Sequence, residues 1–171
     1  MLRLFAFLFS LLAFSAAQAV SDNFTVSGTW TAPAGVGLVT VEVWGGGGAG
    51  GGQNQNTDGG GGGGGGAYST ATVAVTPGSS YPIVVGKGGL GVASGNGLPG
   101  GDSYFWTEST VMAKGGLGGL RSTGTAPAGV AGGNASAGVG TVKFSGGNGG
   151  KGPDSNTGSG GPGGSSAGSA A

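Results

Sequence analysis

The sequence contains no cysteine and no histidine, and only 7% of its residues are charged. Cysteine and histidine supply most ligands for zinc, haem and iron–sulfur clusters, so we expect no metal site and no cofactor. The same absence argues against disulfides, thiol chemistry and any nucleophilic triad that uses histidine. The acidic residues are too sparse for paired carboxylates or a calcium-binding cluster. We therefore predict that the protein is not an enzyme.

Charge of either sign is also scarce. Six basic residues balance six acidic ones over the whole chain, and one of the basic residues, Arg3, lies close to the N-terminus. A nucleic-acid interface needs a concentration of lysine and arginine, and so does an anionic membrane surface. The sequence offers no such patch, so we expect no nucleic-acid partner.

Residues 1–19, MLRLFAFLFSLLAFSAAQA, combine Arg3 with an apolar run and a small-residue ending. This arrangement is typical of a secretory signal peptide and predicts cleavage before Val20. The apolar run is shorter than the roughly 20 residues that span a bilayer, and no later apolar stretch is long enough either. We expect a secreted protein, extracellular or at the cell surface, with no membrane span after cleavage.

Glycine is what the chain has in abundance, with 48 of 171 residues, and its densest tract runs from residue 45 to residue 66. Residues alternate between apolar and polar on both sides of this tract, at 39–44 and 68–75, which predicts two sheet strands joined by a glycine-rich loop. Further strands are expected at 24–30 and 81–85. We expect the valines, Ile83, Phe24 and Trp30 to form one small apolar face.

After Val85 the sequence pattern changes to a period of three, with glycine at every third position in registers that reset near Ser94, Arg121, Ala135 and Ser155. A polyproline-II helix has three residues per turn, and glycine along one edge lets neighbouring backbones approach closely. We predict a bundle of extended polyglycine or polyproline-II segments, interrupted by a hairpin at 103–113 and a strand at 141–144. The predicted fold is mainly β, with a small antiparallel β element, this bundle, and no helix after the signal peptide.

The predicted organisation is a signal peptide at 1–19, a glycine-rich β/polyglycine domain at 20–150 and a glycine/serine-rich tail at 151–171. The tail is either a truncated continuation of the bundle or a disordered linker. Gly45, Gly47 and Gly50 match the spacing of a dinucleotide-binding loop, but no helix follows them. We therefore interpret that match as a chance result of glycine content.

Several motifs occur in a distinctive order: FTVSGTWTAPAGV at 24–36, VTVEVWGGGGAGGG at 39–52, VTPGSSYPIVVGKGG at 75–89 and TVKFSGGNGG at 141–150. Together they resemble the glycine-rich domain of phage tail-fibre and bacterial surface proteins, over nearly all of the mature chain. The resemblance implies a β element leading into a glycine-rich bundle at the distal end of a surface or fibre protein, where loops touch a receptor. The signal peptide favours an exported bacterial protein. Candidate recognition residues in the loops are Gln53, Asn54, Gln55, Asn56, Asp58 and Arg121.

These observations predict a secreted, non-catalytic structural or adhesive surface module that presents loops on a rigid glycine-rich bundle. The expected partner is a cell-surface glycan or protein receptor, or a second copy of the chain through self-association. Ice binding is the alternative, because glycine-rich antifreeze proteins made of bundled extended helices exist. An ice-binding face needs a regular array of small residues or threonines, and the threonines of this chain have no regular spacing.

Overall fold

A computed structural model describes residues 20–53, 58–154 and 160–168 of the chain. The predicted signal peptide at 1–19 lies outside the described residues. The described part contains seven strands and one short 3-10 helix: β1 Gly28–Thr31, β2 Leu38–Trp44, β3 Tyr68–Ala74, β4 Ser80–Val84, β5 Ser103–Phe105, β6 Val111–Ala113, the helix Ala135–Ala137, and β7 Val142–Phe144. The fold is mainly β, as predicted, and no described residue lies in an α-helix.

Strands β2 and β3 flank the densest glycine tract and pair with each other. Their antiparallel register is continuous, from Leu38 opposite Ala74 to Trp44 opposite Tyr68. Strand β7 adds to the other edge of β3, which completes a three-stranded sheet with the order β2-β3-β7. The prediction that the glycine tract connects two strands of one sheet is confirmed.

The second sheet has four strands in the order β1-β4-β5-β6, and all its pairs are antiparallel. The predicted hairpin forms from β5 and β6. The first strand starts at Gly28, so the prediction of a strand from residue 24 is wrong for its first residues. Side-chain hydrogen bonds, rather than backbone hydrogen bonds between strands, hold the residues before Gly28. Ser27 Oγ accepts a hydrogen bond from the Val85 amide at 3.0 Å, and Trp30 Nε1 donates to Asp22 at 2.8 Å.

The two sheets pack face to face, with β2 and β3 against β5 and β6. Their shared core consists of small and β-branched residues around two aromatic rings: Ala32, Val43, Val73, Val75, Tyr81, Phe105, Val111 and Ala113. The Tyr81 and Phe105 rings stack at 5.5 Å. Trp30 and Ile83 pack against this core as predicted, whereas Phe24 does not belong to it. The predicted apolar face is therefore correct for Trp30, Ile83 and most of the valines, and wrong for Phe24 and for Val26, which is 73% exposed.

Eight glycine-rich segments extend from the sheets, and we label them in chain order: a 45–53, b 59–67, c 86–92, d 95–101, e 114–122, f 127–133, g 146–153 and h 160–168. They are joined to one another by backbone hydrogen bonds, such as Gly48 N to Gly64 O at 2.8 Å between a and b. Segment b lies in the middle, and its eight consecutive glycines are all buried. The polyglycine-II geometry of these segments stays a prediction; their mutual hydrogen bonding is observed.

Glycine is required inside this arrangement because the backbones approach too closely for a Cβ atom. A Cβ on Gly62 would lie 1.9 Å from Pro162 O, and one on Gly64 would lie 2.0 Å from Ala131 O. Both distances are far below any normal contact between carbon and oxygen. The bulky side chains Leu117 and Leu120 accordingly face away from the neighbouring segments and are about half exposed.

Candidate functional site: a cluster of four turns

Each glycine segment has one end at the sheets and the other at a turn. Segment a follows β2 and segment b leads into β3, so the turn between them lies away from the sheets. The same holds for the turns between c and d, between e and f, and between g and h. We call the described residues at the ends of these four turns, 52–53, 58–59, 92–96, 121–127 and 151–154, the turn cluster.

Backbone hydrogen bonds between segment ends bring the turns together. They run from Gly52 N to Gly95 O at 2.8 Å, Ser122 N to Gly52 O at 3.0 Å, Gly152 N to Pro127 O at 3.0 Å, and Gly59 N to Pro153 O at 3.1 Å. Because every turn takes part in at least one of these bonds, all four occupy the same end of the molecule. Loops that are fixed on a rigid scaffold are common sites of binding.

Arg121 joins two of the turns. Its backbone amide donates to Asn96 Oδ1 at 2.9 Å, and its Nη1 donates to Ser94 O at 3.3 Å. Both bonds are exposed, so the guanidinium keeps further donors that face solvent. The sequence marked Ser94 and Arg121 as positions where the glycine register resets, and the structure places these two residues in contact. Asn96 was missed, because a single asparagine between glycines has no distinguishing pattern.

The other predicted recognition residues belong to the turn between a and b. Gln53 is half-buried and forms a parallel bridge with Ser122, while Asp58 is half-buried at the start of segment b. Ser122 is fully buried, and its Oγ donates to Thr125 O at 3.2 Å, which closes the neighbouring turn. Asn54, Gln55 and Asn56 lie outside the described residues.

The fourth turn adds an ion pair that sequence reasoning missed. Lys151 Nζ lies 2.6 and 2.8 Å from the two carboxylate oxygens of Asp154. Both side chains are exposed, so the pair contributes little to stability. With Arg121 and Asp58, the described part of the turn cluster carries two charges of each sign. Its chemistry is thus that of polar, nearly neutral hydrogen-bonding groups.

Other types of site find little support. No group of three or more acidic side chains suited to a metal ion occurs in residues 20–53, 58–154 and 160–168. Gly45 and Gly48 use their amides to bond segment b, with Gly45 N donating to Ala67 O at 2.9 Å, so no dinucleotide loop forms. Within the same ranges no helix is long and apolar enough to cross a bilayer.

A shallow cleft of about 380 Å³ lies between residues 25–27 and residues 85–88. Its lining has one charged side chain, Lys87, and Val26 on its rim is mostly exposed. Its hydroxyl groups, Thr25 and Ser27, have no carboxylate or histidine beside them in the lining, so the cleft shows no paired nucleophile and base of the triad type.

Residues 21–171 match a family model described as a glycine-rich domain. The chain belongs to this glycine-rich domain family. The match covers both sheets, all eight segments and the turn cluster. A comparison with curated proteins found no match.

Proposed function

We propose that this glycine-rich domain is an exported, non-catalytic structural or adhesive surface module whose turn cluster contacts a partner. The observation that carries the proposal is the placement of the four turns. Eight segments hold them at one end, and the two packed sheets close the other end. A scaffold of this kind displays loops in fixed positions, which reduces the entropy lost when they bind.

The rigidity of the scaffold comes from backbone pairing. The amides of segment b donate to segments e and g on two sides, as in Gly64 N to Leu117 O at 2.9 Å and Gly62 N to Gly150 O at 2.9 Å. Buried glycine segments lose much conformational entropy on folding, so this pairing has to be extensive to hold them. The polyglycine-II geometry and the resemblance to tail-fibre domains fit the same role of a stiff support.

The chemistry of the turn cluster favours a neutral, polar partner. Amide and hydroxyl side chains such as Gln53 and Asn96 both donate and accept hydrogen bonds, as sugar hydroxyls and peptide groups do. Arg121 adds an exposed planar donor group. We therefore propose a cell-surface glycan or a protein receptor as the partner. The predicted signal peptide would place the module outside the cell.

Binding of the labelled, purified protein to a panel of intact bacterial cells and to immobilised glycans tests this function. The double variant Gln53→Ala with Arg121→Ala removes two polar groups of the turn cluster. Glu108→Ala is the matched control, because Glu108 is exposed in the turn between β5 and β6. We expect the double variant to bind at least about tenfold more weakly, which corresponds to 1.4 kcal/mol. Equal loss in the control, or no binding by the unaltered protein, would contradict the proposal.

Ice binding is the second candidate, and one observation favours it. Exposed glycines recur at a spacing of three along segments a, c and h, at Gly47 and Gly50, Gly88 and Gly91, and Gly160 and Gly163. They leave these backbones without side chains and therefore flat. Thermal hysteresis of the purified protein tests this function: freezing-point depression beyond the colligative value would support ice binding over the adhesive role.

A further inference from the structure

Segment b pairs with five other segments, and these form an incomplete ring around it. Successive neighbours are bonded to each other, a to e, e to f, f to g and g to h. Among the described residues, however, no hydrogen bond joins h back to a. The ring is therefore open at one position, and we call this opening the a–h groove.

Donor and acceptor sides of segment b alternate around the ring. Its amides donate to e and to g, whereas its carbonyls accept from a, from f and from h. The opening lies between segments a and h, and segment b accepts hydrogen bonds from both. Because the sides alternate, the side of segment b that faces the opening is a donating side. The amides that remain for it are those of Gly60, Gly63 and Gly66.

These three amides donate to no acceptor in the part of the chain that the structure describes. All three residues are buried, and an unpaired buried amide is costly, so such groups are rare in folded proteins. Every third residue contributes one amide, and the outer two are six residues apart, which at the rise of an extended helix, about 3.1 Å per residue, is roughly 19 Å. The floor of the a–h groove is thus a row of three regularly spaced hydrogen-bond donors.

Segments a and h form the walls of the groove, and both have glycines at positions where a side chain would cause no clash within the chain. A Cβ atom on Gly47 or Gly50 of segment a would come no closer than 3.7 Å to another atom, which is an ordinary contact. On segment h a Cβ on Gly160 would also stay at 3.7 Å, and one on Gly163 would meet nothing within 4 Å. All four glycines are exposed. An additional strand in the groove would explain why these four positions are glycine, because a Cβ atom on the wall would keep the backbone of that strand from approaching closely.

Segments e and g show what sequence such a backbone needs, since both already accept amides of segment b. Residues 115–120 of e read GGLGGL, and residues 146–151 of g read GGNGGK. In e, a Cβ on Gly116 or Gly119 would lie 2.1 Å from a carbonyl oxygen of b, and in g the same holds for Gly149. The third residue of each repeat points outward. A strand on a donating side of segment b therefore has a Gly-Gly-X repeat.

We propose that the a–h groove binds an extended Gly-Gly-X strand of a different protein, whose carbonyls accept hydrogen bonds from the amides of Gly60, Gly63 and Gly66. Segments e and g make the same interaction within the chain. The groove is separate from the turn cluster, so this interaction does not depend on the proposed adhesive function.

The probe for this site is a synthetic peptide with the sequence of residues 114–121, KGGLGGLR, capped at both ends. Its control is KGALGALR, which has the same length and charge but carries methyl groups on the side that faces segment b. Backbone amide resonances of the purified, isotope-labelled protein report binding. We expect KGGLGGLR to shift the amides of Gly60, Gly63 and Gly66, and KGALGALR to bind at least tenfold more weakly.

Two protein variants complete the test. Gly50→Ala places a methyl group in the groove without a clash inside the chain, so it should weaken peptide binding at least tenfold at an unchanged melting temperature. A Cβ on Gly91 of segment c would meet nothing within 4 Å, so Gly91→Ala should bind the peptide normally. Equal binding of both peptides, or equal effects of both variants, would overturn the proposal. Concentration-dependent shifts of the same amides without peptide would also overturn it, because a second copy would then be the occupant.

Discussion

Replacing Gly149 by valine tests how strictly the glycine segments depend on close backbone contact. A Cβ at this position would lie 2.1 Å from Gly62 O and 2.4 Å from the Gly62 carbonyl carbon. Normal contacts begin above 3 Å, so segments b and g would have to separate by more than about 1 Å. This movement would strain or break the hydrogen bonds Gly149 N to Val130 O and Gly62 N to Gly150 O, at 2.8 and 2.9 Å.

The expected loss follows from these two effects. Two hydrogen bonds contribute about 1 kcal/mol each, and overpacking of an interior costs about 1–3 kcal/mol, which gives a loss of about 3–5 kcal/mol. For a chain of this length the melting temperature should fall by on the order of 10 °C. Thermal unfolding followed by tryptophan fluorescence and circular dichroism measures the change.

The matched control is Gly91→Val, because a Cβ on Gly91 meets nothing within 4 Å. We expect this variant to melt within about 4 °C of the unaltered protein, a shift equivalent to about 1 kcal/mol. Ser155, another position expected to tolerate valine, lies outside the described residues. If Gly149→Val is as stable as Gly91→Val, the segments do not pack as closely as the reasoning requires.

Three further predictions concern the sheets and the N-terminus. Burial, together with the hydrogen bond that its hydroxyl donates to Glu42, raises the pKa of Tyr68. The stability that the neutral hydroxyl contributes is therefore complete below the ordinary pKa of about 10 and is lost as the pH rises through the raised pKa. Tyr68→Phe should lessen the fall in melting temperature above about pH 10, and an alkaline profile identical to that of the unaltered protein would contradict this. Phe105→Ala should lower the free energy of unfolding by about 3–5 kcal/mol in a urea titration, because Phe105 is 4% exposed in the core, and a loss below about 1 kcal/mol would be inconsistent with that packing. N-terminal sequencing of the exported protein should begin at Val20, whereas a sequence that begins at Met1 would disprove signal cleavage.

The strands were the most predictable part of this fold. Alternation of apolar and polar residues located β2 and β3, and the turn at Glu108 located the hairpin of β5 and β6. Side chains determine these elements, because one face of each strand is buried in the shared core. The start of β1 was mispredicted, since Phe24 and Val26 alternate like a strand but the chain there is held by Ser27 and Asp22 side chains.

The arrangement of the glycine segments was not predictable from sequence. Their period of three indicated extended segments, but glycine has no side chain to specify which segment lies beside which. Which segments are adjacent is determined by backbone hydrogen bonds and by the order of the strands from which the segments extend. For the same reason the sequence could suggest Gln53, Asp58 and Arg121 as loop residues, but it could not show that Arg121 contacts Ser94 and Asn96 across two turns.

Amide hydrogen exchange of the purified protein tests most directly whether the glycine segments are ordered by pairing with one another. The amides of Gly62, Gly64, Gly65 and Gly149 all donate to carbonyls of neighbouring segments. We predict that they exchange at least about a hundredfold more slowly than in a random coil. Exchange at random-coil rates from Gly86 to Gly150 would show that the segments are disordered and would contradict this account.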